Sequence, residues 1–238
     1  MDKKAEIRQR VADSTIMFGR IMLPDMFSLE PCPMHYDLDR DLENLTLKRI
    51  NFRAPRDHAK TTILVEAYPL KQFLTSATIY KRRENILIIG LTEKKAIDAL
   101  DTIKYNLDYN EKIKEVYGNW GSETAKKWAD TRIILADDTI IQAKGMGQAV
   151  LGLKHLELRP TIVLVDDPED ENNTKTAESM ESNLRWLLGA VVPLVNRERG
   201  RIVVIGTPKH DLCMVETLAK SKAWHSRLYD AITDEDNK

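Results

Sequence analysis

Three short, near-continuous apolar runs constrain this chain more than any other feature: Asn85-Ile-Leu-Ile-Ile-Gly90, Thr161-Ile-Val-Leu-Val-Asp166 and Arg201-Ile-Val-Val-Ile-Gly206. Each has strand length, is rich in Ile and Val, and lacks the polar alternation of a strand with one wet face. Each is therefore expected to be covered on both faces. Helical stretches over residues 60–76, 92–107 and 174–191 separate them. Strands alternating with helices predict an α/β fold with a mostly parallel central sheet flanked by helices. A first strand is predicted over 48–54, after a helix over 37–47 whose Leu38, Leu42 and Leu45 share one face. Residues 131–144 depart from the pattern: two apolar triplets flank Asp137-Asp138, which predicts an antiparallel β-hairpin at a sheet edge.

Pro24, Pro31 and Pro33 divide the start of the chain into a helix over 3–21 and an irregular stretch. The expected organisation is an N-terminal helical arm over 1–36, a domain over 37–229, and an acidic, polar start of a linker over 230–238. With 36 Lys+Arg against 37 Asp+Glu the formal charge is −1, which argues against a protein that coats nucleic acid by bulk charge. No run approaches the roughly 18 apolar residues that span a bilayer, so the expectation is a cytoplasmic protein without membrane contact. Cys32 and Cys213 have no CxxC partner, which excludes a disulfide scaffold and a thiolate zinc cage.

In an open α/β sheet, ligands bind beyond the carboxyl ends of the strands. The first strand-to-helix turn reads Ala54-Pro55-Arg56-Asp57-His58-Ala59-Lys60-Thr61-Thr62. The phosphate-loop pattern GxxxxGK[ST] would place glycines where Ala54 and Ala59 stand, and Lys60-Thr61 completes it. In such a loop the backbone N–H groups and the helix N-terminus surround phosphates, the lysine reaches the β/γ oxygens and the hydroxyl binds Mg²⁺. Without its glycines the match is also that of a plain helix start after a polar loop.

The second strand end is acidic: Val165 runs into Asp166-Asp167-Pro168-Glu169-Asp170-Glu171. A strand that fixes one carboxylate beside Mg²⁺ and a following acid that holds the attacking water make a Walker B site. Asp166 is the metal-side candidate and Asp167 the water-activating one, with Glu169 a competitor for the second role. An acidic, solvated loop with a helix N-cap in it is the alternative. The third strand ends in Gly206-Thr207-Pro208, where Thr207 would lie near a γ-phosphate unless the stretch is an ordinary turn.

Taken together, these motifs resemble the large terminase subunits of tailed bacteriophages, over most of the chain from about Pro33 to Leu218. The resemblance is carried by Pro55 to Thr61, Tyr117-Gly118 with Trp128, Gly145-Met146-Gly147-Gln148 with Gly152, Arg159-Pro160, Asp166 to Glu169, Trp186 and Gly206 to Pro208. It implies a P-loop NTPase fold of the additional-strand type, with ATP and Mg²⁺ as ligands and double-stranded DNA as the translocated substrate. It also implies a homo-oligomeric ring on the procapsid, working with the portal protein and the small terminase subunit in the host cytoplasm. The isolated domain would be monomeric. The family's C-terminal nuclease finds no room here, so the expectation is the ATPase domain by itself, without nuclease activity.

By the same resemblance Lys60 is the phosphate lysine, Thr61 and Asp166 the metal ligands, Asp167 the catalytic carboxylate, and Thr207 part of a coupling motif. Arg56 matches the family's loop arginine, which contacts the γ-phosphate or switches with its state. Leu151 stands where the family often has an arginine, leaving Lys154, Arg159 and Arg132 as candidates for a finger supplied to a neighbouring subunit. The alternatives are another P-loop DNA translocase or helicase-like ATPase, which would usually need a second motor-like domain, and a nucleotide-binding regulatory module that does not turn over.

Overall fold

The computed structural model describes residues 2–56, 58–150 and 152–229. Eight strands form one sheet: β1 (Arg49–Arg53), β2 (Asn85–Gly90), β3 (Lys127–Trp128), β4 (Arg132–Ile134), β5 (Ile140–Gly145), β6 (Ile162–Asp166), β7 (Arg201–Gly206) and β8 (His225–Leu228). Their order is β3-β4-β5-β2-β6-β7-β1-β8. All pairings from β5 to β8 are parallel, whereas β3, β4 and β5 pair antiparallel. The three apolar runs are β2, β6 and β7, at the centre.

Alternate residues of these strands serve two separate cores, as the period-2 pleat requires. Ile86, Ile88, Ile162, Leu164, Val203 and Ile205 face one core. Leu87, Ile89, Val163, Val165, Ile202 and Val204 face the other. The first is covered by helices that include α4 (Tyr68–Thr78), α5 (Glu93–Tyr109) and α6 (Glu111–Tyr117), the second by α7 (Ala177–Trp186) and α8 (Met214–Ala219). Truncating one of these side chains to alanine would cost about 2–5 kcal/mol, through lost transfer energy and the cavity left behind.

The N-terminal segment departs from the single helix expected over 3–21. It forms α1 (Lys3–Ala12) and α2 (Thr15–Met22), split where Ser14 accepts the Met17 N–H as a new N-cap. The Thr15 N–H also donates to Asp39 at 2.6 Å. Val11, Phe18 and Met22 are buried in the same core as β2 and β6. The next helix, α3, runs over Pro33–Glu43 rather than 37–47, because Pro33 sits at its first turn, where the missing N–H costs nothing.

The antiparallel hairpin is present as β4 and β5, with Ile133 opposite Ile141. β3 adds a further strand outside it, so β5 lies inside the sheet, paired parallel to β2. β7 stands between β1 and β6, the two strands that lead into the lysine turn and the acidic turn. That interposed strand is the additional-strand arrangement.

Candidate nucleotide site

β1, β7 and β6 end side by side, and their three following turns meet. Sequence-distant residues converge there: Thr61 Oγ1 donates to Asp166 Oδ2 at 2.9 Å across 105 residues. Lys60, almost fully buried at the start of the helix, donates its ammonium to the carbonyls of Ala54 (3.1 Å) and Pro55 (2.7 Å) and to Thr207 Oγ1 (3.0 Å). Asp167 Oδ2 lies 3.9 Å from the same nitrogen. Burial pushes the Lys60 ammonium below its ordinary range, opposed by the negative charges of Asp167 and Asp166.

The loop takes a left-handed backbone at one of its two alanines. Ala59, in the place of the second glycine, has φ +49°, a left-handed setting that costs a non-glycine residue about 1–2 kcal/mol. Ala54 is buried at the start of the loop and gives its N–H to the Gly206 carbonyl at 3.1 Å, tying the loop to β7. After Thr61 the helix is wound wide over Thr62–Ala67, with the Tyr68 N–H reaching back to the Ile63 carbonyl. Such bulges concentrate at functional sites. Asp57 lies outside the described residues.

A histidine that sequence reasoning did not single out fixes the loop from behind. His35 Nδ1 accepts the Cys32 N–H at 3.1 Å, so its Nε2 carries the hydrogen and donates to the His58 carbonyl at 2.9 Å. His58 in turn contacts the Arg56 carbonyl through Nδ1 at 2.5 Å. No short motif links residues 35 and 58, and only the fold brings them together.

The three acids differ in their surroundings. Asp166 has one oxygen on Thr61, while its Oδ1 is buried with no hydrogen-bond partner. Burial, and then repulsion from Asp167, push its carboxyl up to about 6. Asp167 has φ +39°, an outlier for a non-glycine residue, and it is pinned there: its N–H donates to the Ile205 carbonyl at 2.9 Å, and its Oδ1 accepts the Thr207 N–H at 3.0 Å. Glu169 is buried and committed elsewhere. Its Oε2 accepts the Met214 N–H at 2.6 Å, at the start of α8, and its Oε1 accepts from Asn183 at 3.1 Å. Burial raises its carboxyl against the pull of those two donors.

A cleft of about 400 Å³ opens over these groups, lined by Lys60, Thr61, Asp167 and Glu169, with the exposed Arg56 at its rim. Lys95 and Lys209 line it as well. Neither was singled out in the sequence; Lys209 follows Thr207 by two residues, which was the available signal. An apolar cavity of about 310 Å³ adjoins the cleft behind His58 and Ala59, lined in part by Phe27, Leu29, Pro31, Thr62 and Ile63. Lys154 and Arg159 are not brought to the cleft. Lys154 pairs with Glu157 at 3.1 Å, and Arg159 donates to the Pro193 carbonyl at 3.2 Å, at the opposite end of β6.

Three solved structures share this architecture. The HK97 bacteriophage large terminase matches with a TM-score of 0.54 and 13% identity, over 94% of this chain and 44% of that one. The large terminase ATPase domain of Thermus phage P74-26 matches at 0.53 and 12%, over 84% of this chain and 86% of that one. A point mutant of the same domain matches at 0.56 and 12%, over 86% and 83%. The chain has the fold of a large terminase ATPase domain. It spans less than half the length of the HK97 protein. No protein-family model and no curated sequence matches it. At this identity the likeness is one of fold, an α/β P-loop NTPase sheet with helices on both faces.

Proposed function

We propose that this chain is the ATPase domain of a DNA-packaging motor, hydrolysing ATP with Mg²⁺ at the junction of β1, β7 and β6. The observation that carries this reading is the meeting of Lys60, Thr61, Asp166, Asp167 and Thr207 within hydrogen-bonding or ion-pairing distance, from turns far apart in the chain.

The residues present fit a magnesium ion. Asp166 offers an unpartnered buried oxygen beside the Thr61 hydroxyl, a hard oxygen pair of the kind that holds Mg²⁺ when substrate phosphates and water supply the remaining ligands. When bound, the ion would neutralise charge on the phosphates. The protein's own groups do the rest. Lys60 presents a buried ammonium at the floor of the cleft, and the helix start adds N–H groups toward the same point. Asp167, held by the Thr207 N–H, has its second oxygen available to orient and deprotonate a water. Glu169 has both oxygens occupied, so Asp167 is the better base. The apolar cavity behind Ala59 has the size and lining for a purine base. Arg56 is the arginine that can reach the γ-phosphate within one subunit, whereas Arg159 or Lys154 would act only from a neighbouring one. A ring on the portal, double-stranded DNA as substrate and the small terminase subunit as partner extend the same proposal.

The test is steady-state phosphate release with and without Mg²⁺, across protein concentration. Mg²⁺-dependent turnover that a folded Lys60→Ala protein loses supports the reading; full turnover by that variant would overturn it.

A further inference from the structure

The nucleotide cleft lies at the carboxyl ends of the strands. Their amino ends carry a different feature. β2, β6, β7 and β1 stand side by side and parallel, and each is entered through basic residues: 81–83 before β2, Arg159 before β6, Arg197 and Arg199 before β7, and Lys48-Arg49 at β1. With about 4.8 Å between neighbouring strands, the row is about 14 Å long. Three clefts run along it and share members, Arg82 and Arg199 between two of them and Lys48 between the next two.

The structure separates the structural cations from the uncommitted ones. Arg201 is buried and spends its guanidinium on the carbonyls of Asp41, Asn44 and Leu47 and on the Tyr68 hydroxyl. Arg82 and Arg199 both reach the buried Glu84 carboxylate, at 3.2 and 2.9 Å. Lys48, Arg49, Lys81 and Arg197 are exposed, and their side chains make no ion pair or hydrogen bond among the described residues. Lys81 is also held at φ +52°, a strained setting that its loop maintains. Opposing acids are few: Glu84 is already neutralised, Asp137 is turned onto Thr139, Asp138, near Arg83, is paired with Lys126 at 2.7 Å, and Glu198 is exposed. In a chain of net charge −1 this is a strong local excess of positive charge.

We propose that this amino-terminal edge of the sheet binds the phosphate backbone of duplex DNA without reading its sequence. A row of about 14 Å spans roughly four base-pair steps of 3.4 Å, more than one small anion needs. The lining of these clefts holds no aromatic side chain, and the exposed ring of Tyr80 beside them is covered by the Arg82 guanidinium at 4.9 Å, so they offer no free stacking platform for unpaired bases. The proposal deepens the motor reading, because it places that motor's substrate on the face opposite the nucleotide.

The experiment is fluorescence anisotropy with a labelled duplex of about 20 base pairs, in two unrelated sequences, between about 50 and 200 mM salt. The fourfold variant Lys48→Ala, Arg49→Ala, Lys81→Ala, Arg197→Ala removes no side-chain hydrogen bond or ion pair among the described residues. It should bind about tenfold or more weakly at the low-salt end, with a salt slope shallower by about 3 to 4, at roughly 0.9 per phosphate contact. Its ATP turnover should equal that of the unmodified protein. Lys81→Glu and Arg197→Glu, made singly, should each weaken binding about threefold or more, which keeps the test open should the fourfold variant fold poorly. Duplex affinity within about twofold of the unmodified protein in all three variants would overturn the proposal, as would a preference of the unmodified protein for single strands. A protein that binds duplex through these residues but never hydrolyses ATP would overturn the motor reading and leave this one standing.

Discussion

Replacing Asp166 by asparagine should make the protein more stable and unable to use Mg²⁺. The carboxyl of Asp166 is pushed from an ordinary 3.8 to about 6, first by burial and then by Asp167. That rise corresponds to about 3 kcal/mol against the ionised form, at about 1.4 kcal/mol per tenfold change in the proton equilibrium. Water at the mouth of the cleft screens part of it, so about 1–2 kcal/mol is the expected gain in Asp166→Asn. An asparagine Oδ1 can still accept the Thr61 hydroxyl, so the one existing bond is kept. Because the folded-state pKa is raised, the native protein has its full stability below about pH 4 and loses this contribution as pH rises through about 6. The variant's advantage should therefore be present in full at pH 8 and vanish below about pH 4. For a chain of this length the gain is about 3–6 °C in Tm, readable by thermal denaturation without ligand. Nucleotide affinity should meanwhile lose its dependence on Mg²⁺. A variant less stable at pH 8, or one with the same shift in Tm at both pH values, would show that Asp166 is not held at a cost to the fold.

Ala59→Gly should raise stability by about 0.5–1 kcal/mol, the relief of a left-handed alanine less glycine's greater unfolded-state entropy, while Ala59→Val should lower it; urea denaturation of the pair decides. Asp167→Asn should bind nucleotide and not turn it over, whereas Glu169→Gln should keep turnover and lose about 1–2 kcal/mol of stability from the start of α8; loss of turnover in Glu169→Gln with Asp167→Asn active would reverse the roles. His35→Ala frees the His58 carbonyl and should raise KM for ATP about fivefold, the worth of one hydrogen bond, with little change in kcat.

What could be read in advance follows from where the physics is local. β2, β6 and β7 are apolar on both faces, and that pattern belongs only to covered strands; all three were legible to within a residue or two. β8 was not. His225-Ser226-Arg227-Leu228 is a polar edge strand, held by pairing with β1 and by Arg227 on Asp41 at 2.9 Å, a contact between distant segments. The break between α1 and α2 was written in Asp13-Ser14-Thr15, but the apolar periodicity running through it masked the cap. At the site, Lys60, Thr61 and Asp166 could be named because each motif carries its own spacing. The left-handed backbone at Ala59 could not, since alanine gives no hint of positive φ and the turn's tertiary setting imposes it. Lys95 and Lys209 were hidden for the opposite reason: single lysines at helix starts and turns look like solvated surface until the cleft is assembled around them.

β8 lies parallel to β1 with Leu228 opposite Arg53, and the Tyr229 N–H bonds to the Arg53 carbonyl one step before the lysine turn begins. A pull applied to the chain beyond Tyr229 therefore enters the domain as shear along this ladder. Its rungs carry the load together instead of parting one at a time. The strand that takes up that tension is the one that leads directly into Ala54, Pro55 and the turn to Lys60, so a mechanical load applied beyond Tyr229 and the position of the buried lysine in the cleft are joined by a single stretch of five residues.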